Sequence, residues 1–349
     1  AVLAQLEGFE APAGAWESQL LPARVTGYDI AWLDALCGAG RIAWTRLRAS
    51  AGGTHASPVR ASPIVLLPRR QLSTWNAIGA QTATESPALS SRALAVVEFL
   101  AQHGASFFGE IADGARLLKV ELEDTLGELV GAGMVGADSF AGLRALLLPA
   151  AKRNGARRRR LARHMLNGIE DAGRWSLVRR ADPSHRQPTE KTEQLEHVAR
   201  VVLRRWGVVF WKLLEREAAW LPPWRELRRV YQRLEARGEI RGGRFVDGIV
   251  GEQFALPEAV ESLRRVRKRE RDGTLIAIGG ADPLNLVGDV LPGAKVPTVA
   301  TSRVVYRDGL PVATLVAGEI ALSQALEPDD ERAVRAALRQ ATPRVSSAV

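Results

Sequence analysis

The sequence predicts an α+β protein in which helix-rich repeats each close on a two-stranded hairpin and a small β-barrel follows. Three observations carry this. A leucine-bearing helix end, a glycine and the start of a strand recur as "LDALCGAGRIAWTRL" from Leu33, "LGELVGAGMVGADSFAGLRALL" from Leu126 and "LEARGEIRGGRFVDGIVGEQFAL" from Leu234, with Gly40, Gly133 and Gly238 as the stops. Upstream of the last two, "HGASFFGEI" and "WGVVFWKLL" set Phe107-Phe108 against Phe210-Trp211, 103 positions apart, while the glycine stops lie 105 apart. After Glu270 the helical periodicity gives way to short β-branched runs separated by Gly, Asp and Pro.

The first repeat, residues 1–80, opens almost on its first helix and has a long hairpin, with "ASAGGTHASP" as its tip and "PIVLLPRRQL" returning. The second, 88–150, has apolar residues at helical spacing in "SSRALAVVEFLAQHG", a short helix around Phe107–Ile111, a longer one over Val120–Val130 and a hairpin from Met134. Residues 151–192 read as a basic linker with one strand at Gly173–Arg179 and a polar loop at Asp182–Thr192. The third repeat, 193–260, has helices near Leu195–Trp206, Val209–Glu217 and Trp224–Arg237, then strands near Glu239–Ile240 and Arg244–Val246, running on to Phe254. Three helices and a two-stranded wing make a winged helix, a relative of the helix-turn-helix. Within 261–349, "TLIAIGG", "LNLVGDVL", "RVVYRDG" and "VATLVAGEIAL" are expected strands, and Asp308-Gly309 is a hairpin signal. They predict a small antiparallel sheet or β-barrel, with the Trp175 strand as a candidate to complete it, and a last helix at Asp329–Gln340.

Composition narrows the function classes. The chain has 349 residues, 46% apolar and 25% charged, as ordinary globular proteins do. No eighteen-residue apolar run is present, so no membrane partner is expected. The start has neither a basic n-region nor an initiator Met, which reads as a piece cut from a longer protein rather than a signal peptide. Cys37 is the sole cysteine, excluding an internal disulfide and a thiolate-rich zinc site and favouring a reducing cytoplasm. A net charge of +9 and a pI near 10.3 point to a polyanionic partner. Only six of the 48 basic residues are lysines, a bias that codon composition produces as readily as phosphate recognition.

The order of "SFAGLRALL", "PWRELRRVYQRLEARGEIRGGRFV", "GEQFALPEAV", "ADPLNLVG" and "VVYRDGLPVA" resembles the C-terminal region of the large helicase-related (Lhr) family across essentially the whole chain. That resemblance implies the tandem winged helices and β-barrel of a DNA-repair helicase. Its partners would be DNA, single-stranded or with a single-stranded tail, the helicase core of the same polypeptide, and further copies in a homo-oligomer. The region also resembles AlkZ-type winged-helix DNA glycosylases, whose Gln-x-Gln or Gln-x-Asp motif has no counterpart here. No G-x-x-x-x-G-K-[ST] loop is present, so no cofactor is expected for this chain; ATP and magnesium would belong to the absent helicase core.

In the third repeat Trp224, Leu227, Val230 or Tyr231, and Leu234 form an apolar stripe, while Arg225, Arg229 and Arg233 recur every four residues on another face. Arg241 and Arg244 flank a Gly-Gly pair expected to be the wing's turn. These five are candidate DNA contacts, against the plainer reading of a solvated helix face. The equivalent helix of the second repeat carries Glu121, Glu123, Asp124 and Glu128, which would repel DNA and suit a spacer or a protein contact. Arg157, Arg158 and Arg160, in a run with Lys152, Arg153, Arg163 and His164, are further candidate phosphate contacts or a solvated linker helix. Trp211 and Trp224 are expected in the core rather than as stacking platforms.

For catalysis, a glycosylase must stabilise an oxocarbenium-like sugar, which a carboxylate can do. Asp282 in "GGADPLNLVG", with Asn285 nearby, is the candidate; its plainer role is to cap a turn. Asp289, Asp308 and Asp330 are weaker candidates. The expected function is therefore a DNA-binding helicase region. The alternatives are a DNA glycosylase acting on a base such as uracil, or an oligomerisation and protein-interaction scaffold.

Overall fold

The computed structural model describes residues 1–48, 59–80, 88–147, 169, 173–178 and 188–339. The chain divides into two compact units, one of Ala1–Phe9, Ser18–Thr26 and Ser184–Val349, the other of Glu10–Glu17 and Gly27–Pro183.

The second unit holds two winged-helix sheets. In the first, β1 (Ala11–Pro12), β2 (Ile42–Thr45) and β3 (Pro63–Pro68) pair in the order β1-β3-β2, all antiparallel. Helix α1 (Ile30–Gly38) precedes β2; the Asp29 carboxylate accepts the Ala31 N–H at its start, one of the donors that a helix cannot satisfy itself. Gly40 then turns the chain at φ 67°, a conformation only glycine adopts cheaply. After α2 (Leu72–Ala80) and α3 (Ser91–His103) come β4 (Ser106–Phe107), α4 (Phe108–Gly114), α5 (Lys119–Gly131), β5 (Val135–Ala137) and α6 (Phe140–Leu146). The sheet closes with β6 (Arg174–Leu177), in the order β4-β6-β5.

This corrects the placement of the Trp175 strand: it is the third strand of the second winged helix, not part of a terminal barrel. Burial explains why. Trp175 is fully buried and meets Trp44 of β2 edge to face, ring centroids 6.3 Å apart, while the Trp44 indole donates to the Ser139 carbonyl at 2.9 Å. The "SFAGLRALL" motif is helix α6, capped by the Ser139 hydroxyl. Its Arg144 reaches back to the first winged helix, forking onto Glu17 at 2.6 and 2.8 Å and onto Asp34 at 2.9 and 3.1 Å. Burial opposes the Arg144 charge, but the bonds to the two carboxylates outweigh it and hold the guanidinium protonated.

In the other unit, α7 (Pro188–Trp206), β7 (Val208–Val209), a 3-10 turn (Trp211–Arg216), α8 (Trp224–Ala236), β8 (Arg241–Gly243) and β9 (Gln253–Ala255) form the third winged helix, with sheet order β7-β9-β8. The predicted stripe is its core: Leu227, Val230, Tyr231 and Leu234 are buried, and half-buried Trp224 packs against Tyr231 and Phe254. Helix α9 (Pro257–Lys268) leads to an antiparallel meander of β10 (Leu275–Gly279), β11 (Arg303–Arg307), β12 (Leu310–Val316) and β13 (Glu319–Leu322), followed by α10 (Pro328–Arg339). Asp308 and Gly309, both at positive φ, make the β11–β12 turn. Val334 and Leu338 of α10 cover one set of strand residues, and Val287 and Val296 from the β10–β11 excursion pack with Ile278 and Val304. Among the described residues the sheet is open, with β10 and β13 at its edges: it takes the antiparallel-sheet form of the two expected, and no closed barrel is seen. "LNLVGDVL" is part of the excursion and contributes only a bridge between Val287 and Leu291.

Candidate nucleic-acid interface

Helix α8 turns its apolar stripe into the core and leaves Arg225, Arg229 and Arg233 exposed on successive turns. Beside them lies the side of the helix that faces the wing: Glu235 accepts the Gly242 N–H, Gln232 donates to Glu252 at 3.0 Å, and Arg228 pairs with Glu252 at 3.3 Å. Arg237 is likewise neutralised, by Glu196 and Glu239. Arg225, Arg229, Arg233, Arg241 and Arg244 form no salt bridge among the described residues, and all five are exposed. The acids of this winged helix thus neutralise Arg228 and Arg237 and leave these five guanidinium groups open.

The wing differs from the expected turn. Gly242 and Gly243 lie within β8, opposite Phe254 and Gln253, so the turn is the longer loop 244–252. Its organiser is Gln253, which is completely buried. The side-chain oxygen accepts the N–H groups of Phe245 and Val246 at 2.9 and 2.8 Å, and the amide nitrogen donates to the carbonyls of Val246 and Ile249 at 2.9 and 3.2 Å. One glutamine therefore supplies both donors and acceptors to a loop that has no ladder of its own.

Trp211 is not a core residue. Phe210 is buried and Trp211 is 46% exposed, so the aromatic of the third repeat equivalent in burial to Phe108 is Phe210. The Trp211 indole donates to the Val250 carbonyl at 3.1 Å, and Val250 is itself 83% exposed. Sequence reasoning also passed over α9, whose Arg264, Arg265, Arg267 and Lys268 are exposed and form no salt bridge among the described residues; the run "RRVRKRER" was the available signal.

The second winged helix offers a different surface. Glu121 accepts the Leu118 N–H and pairs with Arg92, and Glu128 accepts the backbone N–H and hydroxyl of Ser90, both at 2.7 Å. Two of its four acids therefore serve helix termini. In the first winged helix α1 presents Ile30 and Trp32, each about half exposed, and buries Cys37, whose thiol burial pushes up to about 12. Arg157, Arg158 and Arg160 lie outside the described residues.

Asp282 sits on the excursion after β10, only 4% exposed. Its carboxylate takes a two-pronged bond from Arg24 at 2.7 and 2.9 Å, and Oδ1 also accepts the Leu284 N–H at 2.9 Å. Arg216 donates to the Asp282 carbonyl at 2.8 Å; burial pushes its guanidinium pKa down, against the opposing carboxylates of Asp289, Asp282 and Glu217. Asn285 is fully buried and donates to the Gly280 and Val296 carbonyls. Both carboxylate oxygens are thus engaged, beside a small, partly open depression that Gln19, Ala277 and Arg303 also line. Asp289 is paired with Lys295 at 2.6 Å, Asp308 accepts the Gly273 N–H, and Asp330 pairs with Arg307. Among the described residues no group of three or more His, Cys, Asp and Glu is arranged to hold a metal, and no helix is long and apolar enough to cross a membrane.

Residues 1–69 and 188–275 each match a model described as large helicase-related protein, winged-helix domain. The chain carries winged-helix domains of the large helicase-related family. An Lhr helicase/uracil glycosylase of Escherichia coli (strain K12) is 30% identical over 316 residues, 83% of this chain and 19% of that protein. An Lhr helicase/probable uracil glycosylase of Mycolicibacterium smegmatis is 27% identical over 372 residues, 97% of this chain and 23% of its own length. The chain spans about a fifth of the length of these Lhr relatives. The match over 188–275 includes all of α8, the wing and α9, so the arginine face and Trp211 lie within an Lhr winged-helix domain.

Proposed function

We propose that this chain is the DNA-engaging part of an Lhr-type repair helicase, with the exposed face of α8 and the wing of the third winged helix holding the phosphate backbone. The observation that carries the reading is the set of unneutralised cations: Arg225, Arg229, Arg233, Arg241 and Arg244 remain open while neighbouring arginines are paired. Such contacts give sequence-independent affinity that falls as salt rises. Arg157, Arg158 and Arg160 add phosphate contacts in this reading. The motor that uses ATP and magnesium is the partner on the same polypeptide, the setting is cytoplasmic, and DNA with a single-stranded tail is the preferred substrate.

The test is fluorescence anisotropy with a labelled tailed duplex across a salt series. Arg229→Ala and Arg241→Ala should each weaken binding and lower the slope of log affinity against log salt by about 0.7–0.9 per lost phosphate contact. Unchanged affinity and slope in both would remove the third winged helix as the contact surface.

A second reading, DNA glycosylase, is favoured by the names of both relatives, each of which includes uracil glycosylase. It predicts alkali-labile sites in uracil-containing single-stranded DNA without ATP. Loss of product in Asp282→Asn, with the fold retained, would make Asp282 catalytic. Product surviving that change would assign the chemistry elsewhere. Self-association is a further proposal, checked by a sedimentation coefficient that rises with concentration.

A further inference from the structure

Trp211 is a large aromatic residue left half exposed in a protein whose tryptophans otherwise include fully buried Trp16, Trp75 and Trp175. Its position is fixed. The 3-10 turn that it begins follows β7, β7 pairs with β9, and the indole N–H is anchored on the Val250 carbonyl in the returning limb of the wing loop. Gly251, at φ 99°, carries the backbone past the ring edge, where even a Cβ would lie 3.7 Å from the indole. The polar edge of the ring is thus satisfied, and its exposed surface is apolar and aromatic. Val250 extends that surface at the same loop. The outgoing limb of the same wing carries Arg241 and Arg244, both exposed and neither in a salt bridge among the described residues.

An anchored aromatic surface on one limb and free guanidinium groups on the other match the two parts of a nucleotide, a π-faced base and an anionic phosphate. In a duplex the base faces are already stacked on one another, so only an unpaired nucleotide can offer its face to a side chain. We infer that Trp211 is a stacking platform for an unpaired nucleobase of DNA whose neighbouring phosphates lie on Arg241 and Arg244. The inference rests on the DNA-binding reading above and adds a discrimination that arginine contacts cannot supply. It gives the wing a preference for single-stranded gaps or tails over intact duplex.

The experiment uses the full 349-residue chain and two probes of equal length, a blunt duplex and a duplex with a single-stranded gap containing 2-aminopurine. Trp211→Ala should weaken binding to the gapped probe about 10-fold, near the lower end of the effect of losing one stacked base. It should leave blunt-duplex affinity unchanged and abolish the quenching of 2-aminopurine expected with the wild type. Trp211→Phe, which keeps a π-face, should retain most of the gap preference. Equal loss on both probes would overturn the inference, since Trp211 would then only support the wing. An unchanged gap preference in Trp211→Ala would overturn it as well, and if Arg229→Ala and Arg241→Ala still weaken both probes the DNA-binding reading survives alone. Should the arginine variants change nothing while Trp211→Ala loses gap preference and quenching, the platform stands and the phosphate assignment falls.

Discussion

Replacing Gln253 with Ala should loosen the wing without touching a DNA-facing residue. The side chain is completely buried and makes four hydrogen bonds to loop backbone. At a net worth of about 1 kcal/mol each, their sum is about 4 kcal/mol. Phe245, Val246 and Ile249 are only half buried, so water can replace part of this once the side chain is gone. A local loss of about 2 kcal/mol is the reasonable expectation, equivalent to about 30-fold in the opening equilibrium. Native-state hydrogen exchange reads it directly: the amides of Phe245 and Val246 should exchange about 30-fold faster, while the amides of α8 keep their protection. Gln253→Glu separates acceptor from donor, because a carboxylate can still accept from the two N–H groups but faces the Val246 and Ile249 carbonyls with no proton to give. It should therefore be no better tolerated than Ala despite its matching shape. Unaltered exchange at Phe245 and Val246 in the Ala variant would show that the loop is held by something other than Gln253.

The remaining predictions concern stability and reactivity. Arg24→Ala leaves Asp282 buried with its cation gone and should cost about 3–5 kcal/mol, as breaking a buried pair does, read as a lowered urea midpoint; an unchanged midpoint would mean that the carboxylate is hydrated. Ser90→Ala removes both the hydroxyl that caps α3 and a bond to Glu128, and should lower stability by about 1 kcal/mol; thermal unfolding that matches the wild type would dismiss the cap. Cys37 keeps its proton in the fold up to about 12, whereas an unfolded thiol loses it near about 8.5. The unfolded chain then binds fewer protons over that window, so stability from this group is fully present below about 8.5 and declines as pH rises towards 12. At pH 8 the native thiol should resist a disulfide reagent that labels it at once in denaturant, and rapid native labelling would contradict its burial.

The repeat was legible because local chemistry specifies it. Gly40, Gly133 and Gly238 all sit at φ between 66° and 74°, where a side chain would be strained, and a glycine after a leucine-bearing helix is visible in one dimension. The stripe of α8 was equally plain, since Leu227, Val230 and Leu234 recur with the helical period. Register was harder. Aligning the Phe-Phe and Phe-Trp pairs put Trp211 in the core, yet a strand and a 3-10 turn do not keep the spacing of a strand and an α-helix, and Phe210 is the buried member. Gly242-Gly243 looked like a turn because glycines usually punctuate, but Gln253 organises a later one. Nothing near Asp282 in sequence announces Arg24, and the strand at Trp175 declares a strand without declaring its sheet. Those partners are set by packing between distant segments.

The short arm 18–26 has a consequence for how the chain can be divided. Arg24 meets Asp282 across 258 positions, and Gln19 donates to the Ala300 carbonyl across 281, at 2.6 Å. The β10–β13 meander is thus completed by residues at the other end of the polypeptide. A piece excised from residue 184 onward would carry an interior carboxylate, Asp282, without the Arg24 guanidinium that pairs with it, even with every strand intact. A portable form of the meander has to include the arm, either by circular permutation or as a separate peptide supplied in trans. Rescue of solubility by that peptide would then measure how much of the terminal sheet is built by the beginning of the chain.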